Sequence, residues 1–144
     1  MPDKSILDSN DAVTARLEAL VSKLTDSDLA ADLGGGWTTA VALGHLAFWD
    51  RRIAYVLTRW KDGGEPHQEL DDDVVNSALE EVLKVMEPRA AAGLCVQSAK
   101  LANAAIATTP DAIANQLIAE DHAYLLSRHN HRTEHIEQIE RALA

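Results

Sequence analysis

Residues 37–60 read WTTAVALGHLAFWDRRIAYVLTRW, and this stretch decides the fold. Either Thr38 or Thr39 can cap a helix, because a threonine hydroxyl accepts a hydrogen bond from the free N–H groups of a first turn. Apolar side chains then recur every three or four residues as far as Trp60, and a pair of glycines soon afterwards ends the pattern. The spacing predicts one long helix whose apolar stripe includes a single histidine, His45.

Similar spacing on both sides of this stretch predicts further helices. Asn10 or Asp11 is expected to cap the first of them, and the three glycines of 34–36 are expected to form a flexible connection. The other helices are expected at about 10–24, from the acids of 71–73 to Met86, at 88–108, at 110–118 and at 121–144. Four long helices joined by short ones predict an all-α fold, a single four-helix bundle in one domain that spans residues 1–144.

The composition narrows the classes of function. The chain carries 13 Lys and Arg against 23 Asp and Glu, a formal charge of −10. Nucleic acids and anionic membranes are therefore not expected as partners, because phosphate contacts depend on basic side chains. No apolar run approaches the roughly 20 residues of a transmembrane helix, and the polar N-terminus lacks the apolar stretch of a signal peptide. With Cys95 as the single cysteine, no internal disulfide can form, and we expect a cytoplasmic protein.

The histidines carry the strongest chemical signal. Four of the six fall in the last predicted helix, and two of these, His131 and His135, are one turn apart and so share one face. This is the spacing by which a helix presents two imidazoles to one metal ion, and His45 supplies a third from another helix. Three neutral imidazoles suit Zn, Ni or Fe(II) and leave positions open for water or substrate. The alternative, a solvated pair and an ordinary core histidine, stays open on spacing alone.

The same residues form a second pattern. Residues 131–135 read HRTEH and match the H-x-x-E-H motif of inverted zinc peptidases, in which the glutamate, here Glu134, is the general base. Such peptidases place a further acidic ligand far downstream, whereas this sequence ends at Ala144. A peptidase is therefore disfavoured.

Two stretches together resemble a known family. Residues 37–50, WTTAVALGHLAFWD, and residues 131–139, HRTEHIEQI, resemble the second-helix and last-helix motifs of the DinB-like superfamily. These proteins are metal-binding four-helix bundles related to YfiT and to the N-terminal domain of mycothiol-dependent maleylpyruvate isomerase. The resemblance spans most of the chain in the right order, with a tryptophan and one histidine early and a histidine pair late.

The resemblance implies a site and a chemistry. It makes His45, His131 and His135 the three ligands of a divalent metal ion (Zn, Ni or Fe). It also implies thiol transfer, or related hydrolase and isomerase reactions, in which a low-molecular-weight thiol is a second cofactor. The maleylpyruvate isomerase relatives carry a C-terminal domain that contributes to the active site, and this sequence has no counterpart of it. That particular activity is therefore not expected.

Residues near the ligands are candidates for catalysis or for the pocket. Glu134 is expected to orient a ligand or to act as a base, unless it is an exposed acid paired with a neighbouring arginine. Arg128, one turn before His131, is expected to bind a substrate carboxylate, unless it is a surface cation. Three aromatic residues are expected to wall the pocket or to fill the core beside it: Trp37, Trp49 and Tyr124.

Other reactive side chains are expected to be bystanders. Asp50 lies about 140° around the helix from His45, so it is not expected to ligate beside it. Cys95 lies on an alanine-rich face and is interpreted as a buried filler rather than a nucleophile. Three histidines are expected to be exposed, peripheral or without a signal: His67, His122 and His129.

Two functions of different class remain. In the first, the chain is an enzyme, a metal-dependent thiol S-transferase or hydrolase that acts on a small-molecule substrate. In the second, it is a non-catalytic bundle that serves binding or dimerisation around a vestigial metal site. Alanine-rich helices allow close approach between helices, and a homodimer is expected. A DNA-protective hydrolase, as among some relatives of the superfamily, is disfavoured by the acidic charge.

Overall fold

The computed structural model describes residues 1–144. It contains seven α-helices, one short 3₁₀ helix and a two-stranded antiparallel hairpin. The elements in chain order are α1 (Lys4–Lys23), α2 (Asp26–Ala30), β1 (Asp32–Gly34), β2 (Trp37–Thr38), α3 (Thr39–Lys61), α4 (Asp72–Lys84), α5 (Pro88–Ala107), α6 (Asp111–Ala119), the 3₁₀ helix (Ala123–Leu125) and α7 (His129–Leu143). No helix has both the length and the apolarity that a bilayer span requires.

The four long helices, α1, α3, α5 and α7, form the bundle. The contact between α3 and α5 is the most extensive, while α1 packs on α5 and α7, and α7 also packs on α3. Small side chains occupy the core shared by α3 and α5, which lets these two helices lie close together. They include Ala42, Ala47, Ala92 and Ala99. The all-α bundle predicted from the helical periodicity is therefore confirmed.

Larger aliphatic side chains fill the bundle at two levels. One level includes Leu17, Leu43, Leu46, Ile136 and Ile139. The other includes Ile53, Leu57, Ile106, Leu117 and Leu125. Cys95 belongs to the first level, and burial raises the pKa of its thiol. The thiol is therefore protonated and unreactive, as expected of a buried filler.

The central helix begins where its sequence predicts. Thr38 is the N-cap of α3, and its Oγ1 accepts from the backbone N–H of Val41 at 3.2 Å. Thr38 is also the last residue of β2, so the hairpin and the helix are joined without an intervening loop. This direct connection holds Trp37 beside the first turn of α3.

The segment before α3 is more ordered than predicted. Thr25 and Asp28 form a capping box that starts α2, and the glycines then build the turn of the β1–β2 hairpin. All three glycines have positive φ, 94° at Gly34, 62° at Gly35 and 85° at Gly36, a conformation that other residues rarely adopt. The prediction of a flexible connection is therefore wrong, because the glycines specify one tight turn.

The first helix begins earlier than predicted, and this changes the role of Asn10. The helix starts at Lys4 with Asp3 as its cap, so Asn10 lies inside it and is buried. The side-chain oxygen of Asn10 accepts from the backbone N–H groups of Arg128 (2.9 Å) and His129 (3.0 Å). Neither Asn10 nor Asp11, the two residues predicted to cap α1, does so, and Asn10 instead caps α7 from a different helix.

The last helix begins later than predicted. A left-handed residue, Asp121 (φ 63°), and the 3₁₀ helix precede it, so α7 starts only at His129. The prediction of one helix from residue 121 is wrong, because a left-handed residue cannot continue a right-handed helix. His122 and Tyr124 consequently lie outside α7 and not on the face of His131.

Gly44 marks a close contact between α3 and α4. A Cβ atom at this position would lie 2.5 Å from Leu83 Cδ2, so any side chain here forces the leucine to move. We expect Gly44→Ala to lower the free energy of unfolding, as measured by urea denaturation, because overpacking against Leu83 costs about 1–3 kcal/mol and the helix preference of alanine offsets only about 0.5–1 kcal/mol of it.

Gly93→Ala is the matched control, because Gly93 lies inside α5 with nothing within 4 Å of an added Cβ. There the alanine is expected to stabilise the helix by about 0.5–1 kcal/mol. In a Leu83→Ala background the cost of Gly44→Ala should largely disappear. Equal stability of the two single variants would contradict the close packing of α3 on α4.

Candidate metal centre

Three histidines from two helices converge at one end of the bundle. His45 projects from α3, and His131 and His135 project from successive turns of α7. One ring nitrogen of each lies within 4.8 Å of the others, and the Nε2 atoms of His45 and His131 are 3.2 Å apart. His45 and His135 are buried, while His131 is partly buried. The packing of α7 on α3 thus brings together the three side chains that the sequence singled out.

Aromatic rings enclose the histidines. Trp37, held by the hairpin, stacks on His135 with ring centroids 6.0 Å apart and lies 4.9 Å from the ring of His45. Trp49, one turn further along α3, meets the ring of His45 edge-on at 6.4 Å. Two tryptophans therefore pack against the rings of His45 and His135 and reduce their contact with water.

Two of the three histidines, His45 and His131, are held in the neutral form. Burial is the main cause that lowers the pKa of His45 to about 4, and the Arg128 guanidinium contributes to the same shift. Burial and then the Arg128 guanidinium lower the pKa of His131 to about 2. A neutral imidazole is the form that binds a metal ion, because the coordinating nitrogen needs its lone pair. The donor set therefore fits a divalent ion such as Zn²⁺.

A neighbouring amide determines which nitrogen of His135 is free. Its Nδ1 lies 3.0 Å from Gln138 Oε1, one turn further along α7. An amide oxygen only accepts, so Nδ1 carries the proton and Nε2 is left with a lone pair. An outer partner of this kind is common for metal-binding histidines, since it fixes both the tautomer and the ring orientation.

His131 has the opposite kind of partner. Arg128 Nη2 lies 2.9 Å from His131 Nδ1, and a guanidinium has only donors, so Nδ1 accepts. In the neutral ring the proton is then on Nε2, which donates to His45 Nε2. A proton thus links the rings of His45 and His131. For a neutral His131 to bind a metal ion through Nε2, that proton would have to move to Nδ1, and the hydrogen bond from Arg128 would have to be released.

A buried ionic network lies behind His131. Asp50 is fully buried and accepts from the Nε atoms of Arg128 and Arg132, each at 2.8 Å. Arg132 is also fully buried, and its remaining donors reach Thr14, Asn103 and backbone carbonyls of α1 and α5. The network joins α1, α3, α5 and α7 and fixes the start of the helix that carries two of the three histidines.

A cavity of about 720 Å³ opens directly onto the histidine cluster. His45 and His131 belong to its lining, and His135 does not. Its walls also include Trp49, Arg52, His67, Tyr124, Arg128 and Glu134. A smaller cleft on the other side of α7 is lined by Trp37, His135 and the glycine turn, and Glu134 borders both openings. The cavity is large enough for a small organic molecule in reach of the histidines.

The comparisons with known proteins identify the family. A family model described as the DinB superfamily matches residues 10–139, which is nearly the whole chain. The chain belongs to the DinB superfamily. No curated protein and no solved structure matches it. The superfamily is consistent with a metal-binding bundle, and the more specific relation to maleylpyruvate isomerase stays a prediction.

The other predicted site residues do not all lie in the same cavity of this DinB-superfamily bundle. Trp49 and Tyr124 line the large cavity, and Trp37 lies beside the smaller cleft. Glu134 is exposed between the two openings. Arg128 is buried and not a surface cation, and its bonds to Asp50, to His131 and to the Tyr124 carbonyl occupy its guanidinium. Its role toward a substrate stays a prediction.

Sequence reasoning missed Arg132 and the role of Asp50. A signal for both was present, because Arg128 and Arg132 are one helical turn apart and Asp50 is an acid within an otherwise apolar helix. A buried acid needs a buried cation, and two arginines on one face of another helix supply it. Arg52 and His67 of the cavity wall had no such signal, since their proximity depends on a loop.

Proposed function

We propose that this member of the DinB superfamily is a metal-dependent enzyme that acts on a small molecule. Its three-histidine centre would activate a thiol or a water molecule, giving thiol S-transferase or hydrolase activity. The observation that carries the proposal is the convergence of three histidine side chains, with one ring nitrogen of each within 4.8 Å of the others, two of which, His45 and His131, line a cavity of about 720 Å³.

The chemistry follows from the residues that surround the centre. A bound Zn, Ni or Fe(II) ion supplies a lowered pKa for a coordinated water or thiol, and so a nucleophile at neutral pH. His45, His131 and His135 would hold the ion, and Gln138 keeps the proton of His135 on Nδ1. Arg128 would act as a positioning residue, because its hydrogen bond to His131 Nδ1 would control the tautomer of that ring and so the availability of Nε2 to the ion.

Glu134 is the proposed acid–base residue. Its carboxylate lies at the edge of both openings, one residue before His135, and no side chain of the protein bonds to it. A carboxylate in this position can accept the proton of a thiol or a water molecule as it attacks a substrate. Trp37 and Trp49 would limit the access of bulk water to the rings.

The proposal is tested first by metal content and then by turnover. Protein purified without an affinity His-tag should contain, or take up, one equivalent of Zn, Ni or Fe(II) per chain, as measured by elemental analysis. The loaded protein is then assayed against small electrophiles with bacillithiol, mycothiol, glutathione or water as the nucleophile. A protein that binds none of the three metals would contradict the proposal. A metal-loaded protein without any turnover would favour the alternative, a non-catalytic bundle that serves binding.

Glu134→Gln separates catalysis from metal binding. We expect it to lower turnover by about 10²- to 10⁴-fold, the usual contribution of a general base, with the metal content unchanged. Glu137→Gln is the matched control, because Glu137 is exposed on the same helix and lines neither opening. Equal turnover of the two variants would remove Glu134 from the mechanism.

A further inference from the structure

Two arginines line the cavity, and they differ in how their donors are used. Arg128 is bonded within the protein through Nε, Nη1 and Nη2. Arg52 makes a single hydrogen bond, from Nη2 to the Gln68 carbonyl at 2.8 Å, and it forms no ion pair. Its Nε and Nη1 are therefore free to donate. In a chain with far more acids than bases, a partly buried arginine without an acidic partner is a candidate for binding an anion from outside.

The guanidinium of Arg52 is held in place at the cavity wall. Its central carbon lies 5.9 Å from the ring centroid of Trp49, which is a cation–π contact. Trp49 in turn donates from Nε1 to Asn76 Oδ1 at 2.9 Å. The partial burial of Arg52 lowers its pKa, which shows that the charge has lost part of its hydration. An anion bound beside it would offset that loss.

His67 supplies a second unused donor in the same wall. Both of its ring nitrogens are shielded from solvent and have no hydrogen-bond partner. Its ring packs against His122 at 4.8 Å and Tyr124 at 6.5 Å between centroids. Burial, and then the charge of Arg52, lower the pKa of His67, so the ring is neutral and has one N–H to donate. A buried donor without an acceptor is costly, so the ring of His67 would gain by turning a nitrogen into the cavity and donating to an oxygen of a ligand.

Three acidic side chains also line the cavity: Glu69, Asp72 and Glu134. Glu69 accepts from His122 Nε2 at 3.0 Å, and its side chain is 78% exposed. Asp72 lies in the first turn of α4, where the free N–H groups of a helix favour a negative charge. Glu134 lies near the histidine cluster. Asp72 acts on Arg52, and Glu69 on His67, in the direction that raises the pKa, so both acids lie near this wall, but neither forms an ion pair or a hydrogen bond with Arg52 or His67.

We propose that Arg52 and His67 form a carboxylate-binding subsite, and that the small molecule taken by the cavity is a carboxylic acid in its anionic form. The second N–H of Arg52 Nη2, paired with either the free Nε or the free Nη1, would bind the two carboxylate oxygens as a fork, and the N–H of His67, turned into the cavity, would donate to one of them. The naming of this ligand as the substrate rests on the proposed function, whereas the subsite itself does not.

The test uses three probes of matched length: succinate, succinamide and 1,4-diaminobutane. Binding is measured by calorimetry at millimolar probe concentrations, with metal-free protein in EDTA and with zinc-loaded protein. Succinate is expected to bind most tightly in both forms. Arg52→Gln should weaken succinate binding by about 10- to 100-fold, the range expected for hydrogen bonds to a charged group. His67→Phe, which keeps a ring but removes the donor, should weaken it less.

Arg59→Gln is the matched control. Arg59 lies two turns further along α3 and does not line the cavity, and its Nε bonds to the Glu65 carbonyl. Its loss should leave succinate binding unchanged. Arg52→Lys keeps the charge without the fork and should give an intermediate affinity, and circular dichroism checks that every variant is folded.

Several outcomes would overturn the subsite. Tighter binding of 1,4-diaminobutane would show that the acids of the cavity dominate, and equal binding of succinamide would show that charge is not recognised. Succinate binding that survives Arg52→Gln, or no binding of any probe, would also contradict it. The metal-free arm separates this proposal from the proposed function. If the protein takes up no metal but its succinate binding depends on Arg52, the subsite is supported and the proposed function is not. If the protein takes up zinc but its succinate binding does not depend on Arg52, the proposed function is supported and the subsite is not.

Discussion

Asp50→Ala is expected to destabilise the protein by about 3–5 kcal/mol, enough to unfold a large fraction of a marginally stable domain. The carboxylate of Asp50 is fully buried between the guanidinium groups of Arg128 and Arg132. Removing it leaves two buried positive charges without a counter-charge, and the cost of that is much larger than the net worth of an ion pair. Urea denaturation followed by circular dichroism measures the loss.

Two further variants test this interpretation of Asp50. Asp8→Ala removes an exposed partner of Lys4 and should change stability by less than about 1 kcal/mol, because exposed ion pairs contribute little. Replacing Asp50, Arg128 and Arg132 together by Leu, Met and Met should restore much of the stability lost in Asp50→Ala, since no uncompensated charge is then left. A loss below about 1 kcal/mol in Asp50→Ala would contradict the burial of this network.

Zinc is expected to stabilise the folded protein strongly, and only through the three histidines. An ion that binds the folded state alone raises the free energy of unfolding by about 2.7 kcal/mol at 100 times its Kd, and by about 4.1 kcal/mol at 1,000 times. His131→Ala removes one of three ligands, so this gain should be lost at the same zinc concentration. Unfolding curves with zinc and with EDTA give the two values for each variant.

His129→Ala is the matched control for the zinc experiment. It lies on the same helix, two residues before His131, and its imidazole is outside the histidine cluster. It should keep the full stabilisation by zinc. The metal site is refuted if zinc does not stabilise the parent protein, and a gain that persists in His131→Ala would place the bound zinc elsewhere.

Much of the helical framework was predictable because its causes are local. The threonine cap and the apolar periodicity of 37–60 determine α3 within a residue or so. Pro88 at the first position of α5 and Asp71 at the cap of α4 act through their immediate neighbours in the same way. A helix depends on hydrogen bonds four residues apart, so signals of this kind lie within one turn of the residues they affect.

The errors arise where distant contacts override local signals. Asn10 has the side chain of a helix cap, and the prediction placed it at the nearest helix start. In the fold it caps α7, which lies 118 residues further along the chain, through the backbone N–H of Arg128. The start of α7 was misplaced for a related reason, since the apolar spacing before His129 continues through a turn and a 3₁₀ helix. Periodicity does not distinguish these from an α-helix.

The sequence by itself determined the helices, the acidic exterior and the pairing of His131 with His135, because one helical turn brings those two side chains together wherever the helix lies. Only the tertiary structure decided that His45 joins them, across a separation of 86 residues. It also decided that Asp50 is buried against two arginines, and that Arg52 and His67 share a cavity wall. The physical reason is that a helix repeat specifies which residues share a face, whereas the packing of whole helices specifies which faces meet.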